Sequence, residues 1–333
     1  MHTRRRFLAR ALAGTLAGAL ALPASAPAAP ARETFPSRTL RLICSSPPGA
    51  PLDVISRRLA ESLSRQLGVA VVVENKPGAA GVLAAAEVAR ATDGHTFLVT
   101  TNSPFITALA VMKSLPYDPQ ADFALISKIG ASPTVLVANP KFGPGSLAEL
   151  VALLKPGKAN VTYGSWGPGT MPAQVMESLA RKAGVALTEV PYRGSPPALQ
   201  DVLANEVDMT FLSPQVALPL IEQGRIKPLA VVGGGRAALL PGVPTFAQAG
   251  YDDFVFGNPT WAGIAAPARM PPTALARMAQ AIGVSVQDAD MREFLVSIGF
   301  EAIGNTPQAF EEEYRAERAA LLPLLEALGM MAR

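Results

Sequence analysis

The sequence predicts an α/β fold in two lobes, on three observations. Short apolar runs alternate with segments whose apolar residues recur every three or four positions. Both halves repeat the order strand, Gly/Pro-rich turn, helix, and about 300 residues at this apolar content suffice for two cores. Leu40 to Ser45 opens as a strand, ended by the turn Pro47-Pro48-Gly49-Ala50-Pro51. Asp53 is the expected N-cap of the next helix, because Ile55, Leu59, Leu63 and Leu67 recur at four-residue spacing until Gly68 stops it. Strands are expected at Val69 to Val73 and Thr96 to Thr101, with an Ala-rich helix from Gly81 to Ala91 between them and the Asp93-Gly94 turn before the second. Ser146 and Glu149 have capping-box spacing ahead of a helix through Leu154. Val161 to Ser165 is a strand, and Trp166 to Thr170 a glycine-broken loop into a helix that ends near Gly184. Further strands are expected at Leu187 to Tyr192, Val207 to Leu212, Ile226 to Val232 and Trp261 to Ala265. The remainder is helical, with Thr306-Pro307 as cap and first-turn proline of the last helix.

The N-terminus carries an address. Residues 3 to 9 read Thr-Arg-Arg-Arg-Phe-Leu-Ala, followed by an apolar run from Ala11 to Leu22 and small-residue cleavage sequences at Ala24-Ser25-Ala26 and Ala29-Pro30-Ala31. This is the expected form of a twin-arginine signal over residues 1–31, removed to leave a periplasmic protein beginning near residue 32. Its loss deletes four of the 29 basic residues and none of the 26 acidic ones, so 25 face 26 in the mature chain. A near-neutral protein has no electrostatic case for nucleic acid, and that partner is excluded.

Chemistry-bearing clusters are sparse. The mature chain has one histidine, His95, and one cysteine, Cys44, which sits in an apolar run and reads as a buried strand residue. No His-x-x-x-His or Cys-x-x-Cys spacing offers a metal site, and none is expected. Gly164-Ser165-Trp166-Gly167 lacks the spacing of a nucleophile elbow, and Pro156-Gly157-Lys158-Ala159 lacks the upstream glycine and the hydroxyl residue of a P-loop. The pattern points to binding without catalysis or a cofactor. The loops at the carboxyl ends of the strands, residues 47–53, 75–81, 101–105, 165–172 and 213–215, are where an open α/β sheet takes a ligand. A glycine turn that feeds a helix presents unpaired N–H groups and the positive end of the helix dipole, which suits an anion. Pro48 to Asp53 and Ser165 to Thr170 are two such turns, one in each proposed lobe.

Several motifs add to this reading. Pro48-Gly49-Ala50-Pro51-Leu52-Asp53, Val72 through Gly81 (Val-Val-Glu-Asn-Lys-Pro-Gly-Ala-Ala-Gly), Asp93-Gly94-His95-Thr96, Leu115-Pro116-Tyr117-Asp118, Val190 through Ser195, Val207-Asp208-Met209 and Leu240 through Thr245 occur in order along the chain. Together they resemble the Bug family, the extracytoplasmic solute receptors of tripartite tricarboxylate transporters, from about residue 38 to the C-terminus. The resemblance implies a type II-like periplasmic binding protein fold: two lobes, each a mixed sheet flanked by helices, with a ligand cleft between them. Lobe 1 would comprise 34–131 plus 256–333 and lobe 2 132–255. It implies a monomer that captures a small carboxylate and delivers it to the membrane components of a transporter, with no cofactor. Gly49, Ala50, Leu52 and Asp53 of the first loop and Ser165, Trp166, Gly167, Gly169 and Thr170 of the second would clamp the ligand, with Asn75, Thr101 and Asp208 lining or bracing the cleft. A periplasmic enzyme, or a sensor for a signalling partner, are the rival readings of the same fold.

Against the family's usual pattern, Ala50, Leu52, Pro168, Met171 and Ala173 each remove a donor or add apolar bulk. With Trp166, the apolar substitutions predict either a cleft that prefers a carboxylate with an apolar body over malate, aspartate or citrate or, where these side chains point into the lobes or toward solvent, an ordinary dicarboxylate site.

Overall fold

The computed structural model describes residues 35–154 and 161–332, so the secretion signal expected over residues 1–31 lies outside the described residues. The described residues pack as one compact unit. Its chain begins β1 (Leu40–Cys44), α1 (Pro51–Leu67), β2 (Val71–Asn75), α2 (Val82–Arg90), β3 (Thr96–Thr100), α3 (Thr107–Val111) and β4 (Phe123–Ser132). Pro133 alone separates β4 from β5 (Thr134–Ala138). Then come α4 (Leu147–Leu153), β6 (Thr162–Ser165), α5 (Met171–Ala183), β7 (Thr188–Pro191), α6 (Ser195–Ala204), β8 (Met209–Leu212), α7 (Pro214–Glu222), β9 (Lys227–Val232) and α8 (Phe254–Gly257). The chain closes with β10 (Thr260–Pro267), α9 (Pro272–Gln287), α10 (Ala289–Ser297), β11 (Glu301–Ala302) and α11 (Pro307–Ala327).

The strands form two mixed sheets, ordered β11-β4-β10-β3-β1-β2 and β7-β6-β8-β5-β9. In the first, Leu42 of β1 lies beside Val73 of β2 and Phe97 of β3, both parallel, while β10 runs antiparallel to β3 and β4. In the second, β6 runs parallel to β7 and β8, and β5 lies antiparallel between β8 and β9. Pro133 sets the change of sheet. Without an N–H it cannot continue a ladder, so the long apolar run 123–138 is cut into a strand of each sheet. The return crossing follows α8, where Gly233 N–H donates to Phe256 C=O at 3.3 Å.

Alternation along β1 divides the first core. Leu40, Leu42 and Cys44 pack with Leu52, Ile55, Leu59 and Leu63 of α1 and Met278 and Ile282 of α9. Ile43 faces the other way, toward Ala84, Ala85 and Val88 of α2, Phe105, Trp261 and Phe310. The helix stops fall where the glycines predict: Gly68 and Gly184 take φ of 70° and 67° as left-handed C-caps. Thr306 caps α11, its Oγ1 accepting from Ala309 N–H at 3.2 Å with Pro307 in the first turn. Ser146 caps α4 in the same way, accepting from Glu149 N–H at 3.2 Å.

Three expectations need correction. The N-cap of α1 is Ala50, with Pro51 at the helix start and Asp53 inside the first turn. The strand expected at Val69 to Val73 runs two residues later, over Val71–Asn75. Strands β4, β5 and β11 and helices α3, α6, α7 and α8 have no counterpart among the expected elements, β4 because it is buried nearly throughout and shows no alternation to read.

Candidate functional site

The carboxyl ends of β1 and β3 are joined by a hydroxyl pair, Ser45 Oγ to Thr100 Oγ1 at 2.9 Å. Beyond Ser45 the chain turns through Gly49, at φ 81°, into α1. Ala50 is extended and offers no side-chain cap, Pro51 has no N–H, and the first helical bond is Val54 N–H to Ala50 C=O at 3.1 Å. The N–H groups of Leu52 and Asp53 precede that bond and point out of the helix end.

Asp53 is buried at this terminus, 3% exposed, and its carboxylate is fully engaged. Oδ2 accepts from Gly49 N–H at 2.8 Å and from Arg57 Nε at 3.2 Å, while Oδ1 accepts from Asn75 Nδ2 at 2.8 Å. Burial alone would raise its pKa, but the donors from Gly49, Arg57 and Asn75 outweigh it and hold the carboxyl below the usual aspartate range. Asn75 also donates to Ser46 C=O at 3.0 Å and accepts from Arg57 at 2.9 Å. Asp53 and Asn75 therefore brace the first turn with their side chains, leaving backbone N–H groups as its outward donors.

Two further loops flank this turn. From Gly78 to Gly81 four consecutive residues have positive φ, including Ala79 at 47° and Ala80 at 54°. For alanine this costs roughly 1–2 kcal/mol per residue. A Cβ on Gly81 would lie 3.2 Å from Ser45 Cβ and 3.3 Å from Pro104, so the loop seats directly on the Ser45 turn. After β3, Thr101 Oγ1 accepts from Ser103 N–H at 3.3 Å, and Asn102 donates to the buried Glu317 at 2.8 Å.

The second sheet supplies the opposing turn. Ser165, at the end of β6 and wholly buried, donates to Glu189 Oε1 at 2.5 Å and accepts from Gly167 N–H at 3.2 Å. Thr170 donates its hydroxyl to Gly167 C=O at 2.6 Å, and Gln174 Nε2 donates to Gly169 C=O at 2.8 Å. Thr170 is the extended N-cap of α5, but its hydroxyl is spent on the loop and caps nothing. Met171 and Ala173 N–H precede the first helical bond, Gln174 N–H to Thr170 C=O at 3.0 Å. The side chain of Trp166 is partly buried, and its indole Nε1 is buried with no hydrogen-bond partner.

One contact joins the second turn to the layer of the first sheet. A Cβ on Gly169 would fall 2.6 Å from Val111 Cγ1 and 3.6 Å from Thr107 Cγ2, so this turn lies against α3. Thr100, Thr107, Val111, Gln174 and Glu189 also belong to this constellation, as does Ser45, which the sequence marks only as a strand end. Only the hydroxyls that end β1 and β3 carried a visible signal. Asp208 is not brought to the group. It stands at the amino end of β8, accepting from Thr162 N–H at 2.8 Å and Oγ1 at 2.9 Å, opposite to the end that carries Ser165.

The expected apolar lining is only partly present. Leu52 is 4% exposed and turns into the α1 core, because it continues the Ile55–Leu59 stripe, and Ala173 is fully buried. Met171 packs inward with Thr134 Oγ1 3.8 Å from its sulfur, and Pro168 is exposed. Trp166 is the one substitution with polar capacity left unspent. Among the described residues no group of three or more metal-ligating side chains occurs, and His95 lies at the amino end of β3, bonded to Ser37 and Asp93. Ser165 thus has a carboxylate and no imidazole as its partner.

A family model described as tripartite tricarboxylate transporter family receptor matches residues 55–330. Protein BugT of Bordetella pertussis is 33% identical over 277 residues, covering 83% of this chain and 84% of that protein. Among solved structures, the periplasmic binding protein BugD superposes with a TM-score of 0.75 at 28% identity, over 90% of this chain and all of its own. The R. palustris protein Rpa4515, solved with adipate, gives 0.77 at 28% identity over 89% of this chain and 98% of that one.

Proposed function

Because the chain belongs to the tripartite tricarboxylate transporter receptor family, we propose that it is a periplasmic receptor that captures a small carboxylate between its two sheets. The observation that carries this is that two helix ends, α1 and α5, have no side-chain cap, while Gly169 of the turn before α5 packs on Thr107 and Val111 of α3, in the layer of the first sheet. Each end offers N–H groups and a positive dipole to an oxygen anion. Asp53 already supplies a negative charge to α1, so the α5 turn is the stronger pole for the ligand. We take Gly49, Ala50, Leu52 and Asp53 to contribute through their backbones, Asn75 and Thr101 as braces, and Ser165, Gly167, Gly169 and Thr170 as the framework of the opposing turn. Trp166 contributes its ring and its free N–H. The two sheets are then two lobes, residues 34–131 plus 256–333 and 132–255, closing about Pro133 and the segment after α8.

On this reading the ligand is a carboxylate with an aliphatic body, of the kind solved with Rpa4515, delivered by a monomeric receptor to the membrane components of a transporter. Export by the twin-arginine signal places the receptor in the periplasm, and the absence of a nucleophile–base pair at Ser165 favours binding over catalysis.

Calorimetric titration of the mature chain with adipate, malate and benzoate tests the proposal, with scattering at saturation. Adipate should bind most tightly and shrink the radius of gyration. Gly169→Val, which drives a methyl into Val111, should weaken binding by about tenfold or more. Absence of binding across the panel, or saturation with no change in radius, removes the clamp.

A further inference from the structure

At the far end of α5 from the cleft lies a cavity of about 460 Å³, within the range of small-molecule sites. Its walls come from both sheets' layers: Ser178 and Arg181 on α5, Leu321 and Leu324 on α11, with Phe254 and Val255 at the crossing segment between them. We infer that this cavity is a second binding site, separate from the cleft, for a small amphipathic carboxylate.

Four polar side chains line the chamber; Lys182 and Asp253 satisfy each other as an ion pair, and the two left over, Ser178 and Arg181, point to such a ligand. Ser178 is 5% exposed and its hydroxyl has no hydrogen-bond partner, which is costly for a buried donor. Arg181 forms no ion pair among the described residues, whereas its neighbour Lys182 is held by Asp253 at 2.8 Å. A carboxylate seated here would take donors from the Arg181 fork and the Ser178 hydroxyl. Its hydrocarbon body would lie on Leu321, Leu324, Val255 and Phe254; Phe254 is 41% exposed and gains cover. Ser178 and Arg181 lie seven and ten residues beyond Met171 along α5, so at 1.5 Å per residue the chamber is roughly 10–15 Å from the cleft end of the helix. A ligand there touches neither glycine turn.

The test is titration of the mature chain with sodium octanoate, and with 1-octanol as the same body without the charge. Octanoate should bind, octanol and the Arg181→Gln variant should each respond about tenfold more weakly, and Ala320→Trp should fill the chamber and abolish the signal. Arg181 is exposed, so that variant decides the matter even if Ala320→Trp fails to fold. Failure of octanoate to bind, equal affinity for octanoate in Arg181→Gln and the parent, or loss of binding in Gly169→Val instead, which would put octanoate in the cleft, each overturns the inference.

Discussion

Replacing Glu317 by leucine should destabilise the protein by about 2 kcal/mol, because one buried carboxylate holds three elements together. Glu317 is 2% exposed and has no cationic partner among the described residues. Its Oε1 accepts from Asn102 Nδ2 at 2.8 Å and Asn258 Nδ2 at 3.0 Å, and its Oε2 from Trp261 Nε1 at 2.7 Å. It thereby ties α11 to the loop after β3, to the crossing segment and to β10. Hydrogen bonds to a charged acceptor contribute roughly 1.5–3 kcal/mol each, a gross loss of about 5–9. Leucine regains several kcal/mol of carboxylate desolvation. The two asparagines are partly exposed and can turn to water, whereas the Trp261 N–H stays buried and orphaned. The cost is thus concentrated on Trp261. A double-mutant cycle of Glu317→Leu and Trp261→Phe, read by denaturant unfolding, should show a coupling of about 1–2 kcal/mol. Additivity within about 0.3 kcal/mol would refute the reasoning.

Asp53→Asn should flatten the acid limb of stability. A carboxyl held low in the folded state contributes stability above its unfolded value near pH 4 and loses it as pH falls through the folded one, so the variant and parent should converge below about pH 4 in thermal melts. Asp208→Ala should lower the melting temperature by removing the acceptor for Thr162, yet leave carboxylate affinity unchanged by calorimetry. Trp166→Phe, which deletes the unpartnered N–H and keeps an aromatic ring, should weaken adipate binding by about tenfold; undiminished affinity would show that the indole faces away from the ligand.

Local signals were legible and long-range ones were not. Gly68, Gly184 and Thr306 act within one turn of themselves, so their positions suffice to predict what they do. The α1 cap was misread because Asp53 satisfies the composition rule for a cap, while Pro51 two residues earlier, the stronger mark of a helix start, was assigned to the turn. β4 and β5 escaped because strands covered on both faces show no alternation, and only their pairing with β10 and β8 distinguishes them from a buried helix. Within the site, the glycine turns announced themselves. The meeting of Gly169 with Val111 and the withdrawal of Asp208 to the wrong end of β8 depend on strand order, which neither spacing nor hydropathy carries.

The single-residue step at Pro133 also orders events during synthesis. The second sheet draws all its strands from one unbroken stretch, Thr134–Val232, and can form as soon as that stretch has emerged. The first sheet cannot: β4 waits for β10, whose Thr260 pairs with Ser132 about 130 residues back, and α11 must still cover the result. Until then the apolar flank of β4 is open to misassembly. A chain of this topology completes its second sheet before its first, and its C-terminal strands and helices are the last parts to find their places.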